Sequence, residues 1–505
     1  MPTNAIELGN RQESFAADPK QTSWKVVYTE YDGLMARAIE LLNREVGKLL
    51  IRQEGKYTLH VLPLERETAS IRLEKNVFLI GCRQDSALIR KHVSQDEIPQ
   101  NGYTVKVIDN PTDKSYSLVI LTGNTPQCVY YAVTAFVDQY ATACAPNVGG
   151  LRFKHRLFDE KLINHTLASA PKAEKRSVFA WGHPINDYRA FLQSMARQGL
   201  NQLILWNDHK PLNAKEIVDY AHAYGIELIW AFSWGWIEGC HRIQSIDEDY
   251  LKHVKAQVLD IFERDYADAG DGIYFQSFTE LNSETIGGKI VAEVVTDFVN
   301  DVAGELLEKH PDLHIQFGLH ANSVRNRLEP ISHVDKRIEI IWENGGVFPF
   351  DKGIVRIEDE DAYQKKFEET LTFTEKILTL RGTDAPTGIM FKGFMKLDWS
   401  QFVNQSGPFL LGENAPEIQE HDKRLRRDAW RAFSADWLKN GGYAKQFCDF
   451  IHQHATQSVN LCMAGLFDGG VYLPQAICSE LFWNSDRTYE DIVKAAMDKD
   501  FVITE

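Results

Sequence analysis

From about residue 176 onward, short apolar runs recur along the chain, separated by longer stretches whose apolar positions repeat with helical spacing. Eight such runs read as strands: Val178–Trp181, Gln202–Trp206, Glu227–Phe232, Gly272–Phe278, Leu313–Leu319, Ile338–Trp342, Gly388–Phe391 and Val459–Gly465. The intervening segments Asp187–Gln198, Ala214–Tyr224, Tyr250–Tyr266, Ile290–Lys309 and Tyr363–Thr379 read as helices, and the link between strands five and six has room for about one turn. Alternation of this kind predicts an α/β fold with a closed (β/α)8 TIM barrel rather than an open sheet. No GxGxxG follows a strand, so a dinucleotide fold has no support. Gly287-Gly288 reads as a turn that opens a helix.

The first part of the chain has a different rhythm. Thr58–Leu62, Asn76–Ile80 (closed by Gly81), Gly102–Val107 and Ser117–Leu121 read as strands. Gly123-Asn-Thr-Pro then opens a helix with apolar positions at Val129, Ala132, Val133, Phe136 and Val137. Asn164–Arg176 is polar, carries Pro171 and reads as a hinge. The expected organisation is a small α/β domain over residues 1–170, followed by the barrel over 171–505.

A parallel barrel keeps its chemistry at the strand C-termini, and the residues there are distinctive. Strand one ends in Trp181 and His183, strand two in Trp206, Asn207 and His209, and strand three in Trp234 and Trp236. Strand four ends in Glu280 and Asn282, strand five in His320 and Asn322, strand six in Trp342 and Glu343, and strand seven leads through Lys392 and Lys396 to Asp398 and Trp399. Amides, carboxylates, imidazoles and indoles suit a carbohydrate, whose hydroxyls take amide and carboxylate partners and whose apolar faces stack on indoles. Hydrolysis of a glycosidic bond needs one protonated and one ionised carboxyl group. Glu280 is the candidate acid, because the preceding Tyr274, Phe275 and Phe278 supply apolar surface that favours the protonated form. Asp398, Glu343 and Glu413 (in Leu-Leu-Gly-Glu-Asn) remain as alternatives for its partner.

A formal net charge of −16 excludes a nucleic-acid partner, which requires a basic footprint. No apolar run reaches the roughly 18 residues of a membrane span. The seven cysteines are scattered without a CxxC pair, and the N-terminus lacks a basic start and an apolar core, so a reduced, cytoplasmic setting is expected. No cofactor is implied. His183, His209 and His320 lie on separate strands without HxH spacing, so no metal is implied either. An oligosaccharide substrate is the expected partner, and a homodimer is left open.

Two segments carry a resemblance. Asn76-Val-Phe-Leu-Ile-Gly, Asn101-Gly-Tyr-Thr-Val-Lys-Val and Ser117–Tyr140 resemble the accessory domain that precedes the barrel in family 20 hexosaminidases and family 67 α-glucuronidases. Gly272-Ile-Tyr-Phe-Gln-Ser-Phe-Thr-Glu280 is similar to the family 67 strand-four motif and implies the acid's place for Glu280. Phe391-Lys-Gly-Phe-Met-Lys-Leu-Asp-Trp399 resembles a later motif, which implies a water-activating carboxylate at Asp398, with Glu413 a looser match for its companion. The chain departs from that family after the acid, where Leu-Asn-Ser-Glu-Thr replaces a glycine- and proline-rich tail. The expected function is an inverting, α-glucuronidase-like glycoside hydrolase that releases a terminal sugar or uronic acid. The alternatives are a β-N-acetylhexosaminidase-like enzyme, which would want an acidic residue where Thr279 stands, and a non-catalytic sugar-binding barrel.

Overall fold

The computed structural model describes residues 24–53, 62–141, 145–147, 150–152, 161–207, 209–235, 243, 245–343, 360–394, 408–470 and 472–499. The described chain falls into two compact units: the first runs to Pro171 and also takes in Ala223–Gly225 and the residues from Met497, and the second holds Lys172–His222 and Ile226–Ala496.

The first unit is built on a six-stranded sheet with spatial order Leu64–Arg66, Trp24–Tyr28, Asn76–Cys82, Ser117–Gly123, Tyr103–Asp109 and His165–Ser169. The first four run parallel and the last two pair antiparallel. Asn76–Cys82 and Ser117–Gly123 are buried along their whole length, as a continuous apolar run between two covered faces requires. The helix Pro126–Phe136 starts where predicted. Thr125 caps it by accepting from the Cys128 amide, and Pro126 takes the first turn, where no amide donor is needed. The supposed hinge is more structured than its polarity suggests, because His165–Ser169 forms the sheet's edge strand, where exposed side chains are tolerated. Residues 58–61 of the first expected strand lie outside the described residues.

The second unit is a closed barrel of eight parallel strands: β1 (Arg176–Trp181), β2 (Gln202–Trp206), β3 (Glu227–Ser233), β4 (Gly272–Gln276), β5 (His314–Leu319), β6 (Ile338–Glu343), β7 (Thr387–Phe394) and β8 (Val459–Gly465). Every expected strand is present, most within a residue or two of its expected ends. Four helices follow the first four strands: α1 (Tyr188–Arg197), α2 (Ala214–Ala223), α3 (Glu248–Ile261) and α4 (Val291–Lys309). A single 3-10 turn, Pro330–His333, stands between β5 and β6. Helices α5 (Glu360–Thr379), α6 (Pro416–Asn440), α7 (Gly442–His454), α8 (Leu473–Trp483) and α9 (Tyr489–Asp498) complete the order. Asp187 and Asp247 cap α1 and α3 through their carboxylates. Gly287 and Gly288 form the tip of a small hairpin, Thr285–Ile286 with Lys289–Ile290, just before α4. Both have positive φ, as a two-residue hairpin turn demands.

Side chains alternate across each strand, so every second residue fills the barrel. Phe179, Ile204, Ile229, Ala231, Tyr274, Ile341, Met390, Cys462 and Ala464 make its apolar middle, with Trp181, Trp206 and Leu466 packed on it. The strand N-termini close on a polar layer. The Ser177 hydroxyl lies 2.7 Å from both Gln202 and Asn460, Gln202 donates to Glu227, and His314 stands between Glu227 (3.1 Å) and Glu339 (3.2 Å). These groups satisfy one another, which lets a polar layer sit inside the barrel.

Candidate active site

At the other end of the barrel the central group is Glu343, the last residue of β6. Its side chain is 2% exposed. The Tyr274 hydroxyl (2.5 Å) and the Gln276 amide (2.6 Å), both on β4, donate to Oε1. Lys392 on β7 donates to Oε2 at 2.7 Å. His320, just past β5, brings Nε2 to 3.0 Å from the same oxygen, within ion-pair range but off the angle of a directed hydrogen bond. Burial alone would push this carboxyl up. The charges of His320 and Lys392 and their contacts outweigh it and hold Glu343 well below the usual carboxylate range. Burial and the adjacent carboxylate together push the Tyr274 phenol well up. Tyr274 therefore remains a donor.

The cluster needs a gap in the wall of β5, and Gly318 supplies it. A Cβ there would come within 2.0 Å of the Tyr274 hydroxyl and 2.7 Å of Glu343 Oε1. Sequence reasoning missed Tyr274, Gln276 and Gly318 because they lie within strands rather than after them. Strand alternation was the available signal, since Tyr274 and Gln276 share one parity within β4.

Glu280 ends a 3-10 turn, Phe278–Glu280, directly after β4 and is partly exposed. The segment after β5 braces that turn. The Ser323 amide donates to the Thr279 carbonyl, the Ser323 hydroxyl to the Phe278 carbonyl, and the Asn322 amide to the Glu280 carbonyl at 3.3 Å. The same segment contains Ala321 at φ +65°, a backbone conformation that costs an alanine on the order of 1 kcal/mol.

The remaining candidates separate. Trp181 and Trp206 keep partly exposed indoles on the inward face, both near Phe179. Asn207 is buried beside Gly182, and its side-chain amide nitrogen has no hydrogen-bond partner among the described residues. His183 is half-buried, and burial together with Arg426 lowers it to about 4, so it is neutral at ordinary pH. His209 and Asn282 are exposed. Two tryptophans are core instead of pocket: Trp234 stacks on Phe275 at 3.7 Å and is fully buried, and Trp342 packs against Phe373 of α5. Trp236, Lys396, Asp398 and Trp399 lie outside the described residues. Glu413 is on the rim. Its backbone bridges to Asp187 at the start of α1, and its carboxylate pairs with exposed Arg189 at 2.7 Å.

That rim is a strap. Asn213 clasps Leu411 through both its amide oxygen (2.9 Å) and its amide nitrogen (3.0 Å), and Asn414 bonds Asn186 at 2.6 Å. Asp468, just past β8, is buried and accepts from the Tyr472 hydroxyl at 2.8 Å and the Gly470 amide at 3.0 Å.

No family model matches the sequence, and no curated protein matches it. Solved structures of similar chain architecture include CpGH84D (14% identity, TM-score 0.45, covering 85% of this chain and 70% of that one). A protein described as a GH138 enzyme targeting pectin rhamnogalacturonan II matches at 12% identity and TM-score 0.48, over 93% of this chain and 52% of its own. BtGH115A, described as a 4-O-methyl-α-glucuronidase of family GH115 with specificity for decorated arabinogalactans, matches at 12% and 0.48, over 94% and 58%. This chain thus spans little more than half the length of the last two, and the activities named are those proteins' own. Among the described residues no helix is long and apolar enough to cross a membrane.

Proposed function

We propose that the protein is a glycoside hydrolase that releases a terminal sugar from an oligosaccharide by inversion, with Glu280 as the general acid. The observation that carries this reading is the presence, at one mouth of the barrel, of a partly exposed glutamate after β4 and of a buried glutamate at the end of β6 that Lys392 and His320 contact. Two carboxyl groups in unlike environments are what acid-assisted glycoside cleavage requires. Trp181 and Trp206 offer indole faces for a sugar ring. The pairing of Lys392 with Glu343 at 2.7 Å favours a neutral sugar over a uronate.

Aryl glycosides of graded leaving-group ability test the acid. Glu280→Gln should lose about a hundred- to ten-thousand-fold on substrates with poor leaving groups, the usual worth of a general acid, and keep most of its rate on 4-nitrophenyl glycosides. Equal loss on both kinds of substrate, or none, would falsify the assignment.

A sugar-binding barrel is the second reading. It is favoured by the saturation of Glu343, which Tyr274, Gln276 and Lys392 contact, and by the pairing of Glu413 with Arg189 at the rim. Stoichiometric binding of an oligosaccharide by calorimetry, with no turnover of any glycoside, would establish it.

A further inference from the structure

A carboxylate that is 2% exposed and contacted by Tyr274, Gln276, Lys392 and His320 cannot itself approach a water at a sugar's anomeric carbon. Its neighbour His320 can. The imidazole keeps 10% of its side chain exposed and turns Nε2 toward Glu343. Nδ1, on the other edge of the ring, has no partner among the described residues. The main chain at the histidine is defined on both sides: the His320 backbone amide lies 3.4 Å from the Thr279 hydroxyl, and Ala321 takes up its left-handed conformation immediately after. The same bracing ties the His320 segment to the turn that carries Glu280. Acid and imidazole thus project from adjacent strand ends.

Resting on the glycoside hydrolase reading, we infer that His320, oriented by Glu343, is the base that activates water, in place of a second free carboxylate. With the proton on Nε2, the nitrogen 3.0 Å from Glu343, Nδ1 carries the lone pair that accepts a proton. In the step, the Glu280 carboxyl gives its proton to the glycosidic oxygen. The bond from that oxygen to the anomeric carbon breaks, with its electron pair going to the leaving group. Water adds to the opposite face of the anomeric carbon, and His320 Nδ1 takes the proton it releases. The imidazolium then returns a proton through solvent to the Glu280 carboxylate. The products are a hemiacetal and an alcohol, and the balance needs no other reactant. Glu343 does not touch the reacting atoms. It is a positioning residue that fixes the ring and stabilises the imidazolium, as a buried carboxylate does behind a catalytic histidine. Among the described residues, Glu343 on β6 is the charged group shown against the ring; Lys392 on β7 and Tyr274 on β4 lie on the same Glu343 carboxylate, and Glu280 ends the turn after β4.

The experiment uses the full chain and a panel of 4-nitrophenyl glycosides. Wild type should show an acid limb in its profile of kcat/KM against pH. His320→Ala should lower kcat about a hundred- to ten-thousand-fold with little change in KM, remove that limb, and recover saturably on adding free imidazole. Glu343→Gln should shift the limb, and the double variant should be no slower than His320→Ala alone, because the two act as one unit. His320→Asn guards against a folding defect and should keep the wild-type melting temperature while losing the rate. An active wild type whose His320→Ala form stays within threefold, or keeps the acid limb, or ignores imidazole, overturns the role of His320 and leaves the glycosidase reading standing. A wild type without turnover on any glycoside overturns both.

Discussion

At Glu343 a single alternation rule decides between two residues that the sequence offers equally. In Ile340-Ile-Trp-Glu343 neighbouring side chains face opposite sides of the sheet, so Trp342 and Glu343 cannot both line the pocket. Glu343 turns in and Trp342 packs against α5. The indole was therefore legible as core to anyone who first fixed the carboxylate, whereas the partners on β4 were hidden because a tyrosine and a glutamine inside a strand look like filling. Lys392→Met follows from the same geometry. It strips a buried carboxylate of its ammonium, which costs about 3 kcal/mol or more for a buried pair, partly offset by the donors that remain. The melting temperature should drop and the rate should fall alike on neutral glycosides and uronides. Loss confined to uronides would show that Lys392 meets substrate instead. Gly318→Ala should cost about 1–3 kcal/mol by overpacking and displace Tyr274 from Glu343, an effect that tyrosine absorbance at rising pH would register.

Elements were more legible than side chains because periodicity survives where contacts do not show. The apolar runs and helical spacings of the barrel are dictated by burial, and the strands lie where those runs lie. In the first unit, Trp24–Tyr28 and the helix Gly33–Gln53 went unread, and His165–Ser169 looked like a linker because an edge strand need not be apolar. The strap is a further case. Leu410-Leu-Gly-Glu-Asn414 suggests a strand-end motif with a catalytic glutamate, yet its regular feature is the two-bond clasp of Leu411 by Asn213, some two hundred residues earlier in the chain. No local pattern announces such a contact. Asn213→Ala should remove both bonds and cost roughly 1–3 kcal/mol. Hydrogen exchange of the Leu411 amide should quicken by ten- to a hundredfold while the β2 amides keep their protection. Unchanged exchange at Leu411 would mean that Asn414 and Glu413 hold the strap without it.

Across the barrel as a whole, two partners at one end carry opposite pH signatures. Within the polar layer at the strand N-termini, burial works against the charge on His314, but its bonds to Glu227 and Glu339 prevail and raise it to about 9. Burial likewise opposes ionisation of Glu227, and its contacts with His314 and Lys175 bring it down to about 2. A histidine whose folded pKa lies above its unfolded value of 6.5 adds stability that is complete below pH 6.5 and is lost as pH climbs to 9. That span bounds the contribution at roughly 3 kcal/mol. For Glu227 the sign reverses: its contribution is complete above pH 4.5 and disappears as pH falls toward 2. Chemical unfolding of the barrel should therefore show a plateau between about pH 5 and 6.5 and a decline toward pH 9. His314→Gln should lower the plateau and flatten the alkaline decline. On the proposed mechanism it would leave untouched the pH dependence of catalysis, which that mechanism assigns to the opposite mouth. A wild type equally stable at pH 6.5 and pH 9 would show that the clamp on His314 contributes nothing to folding.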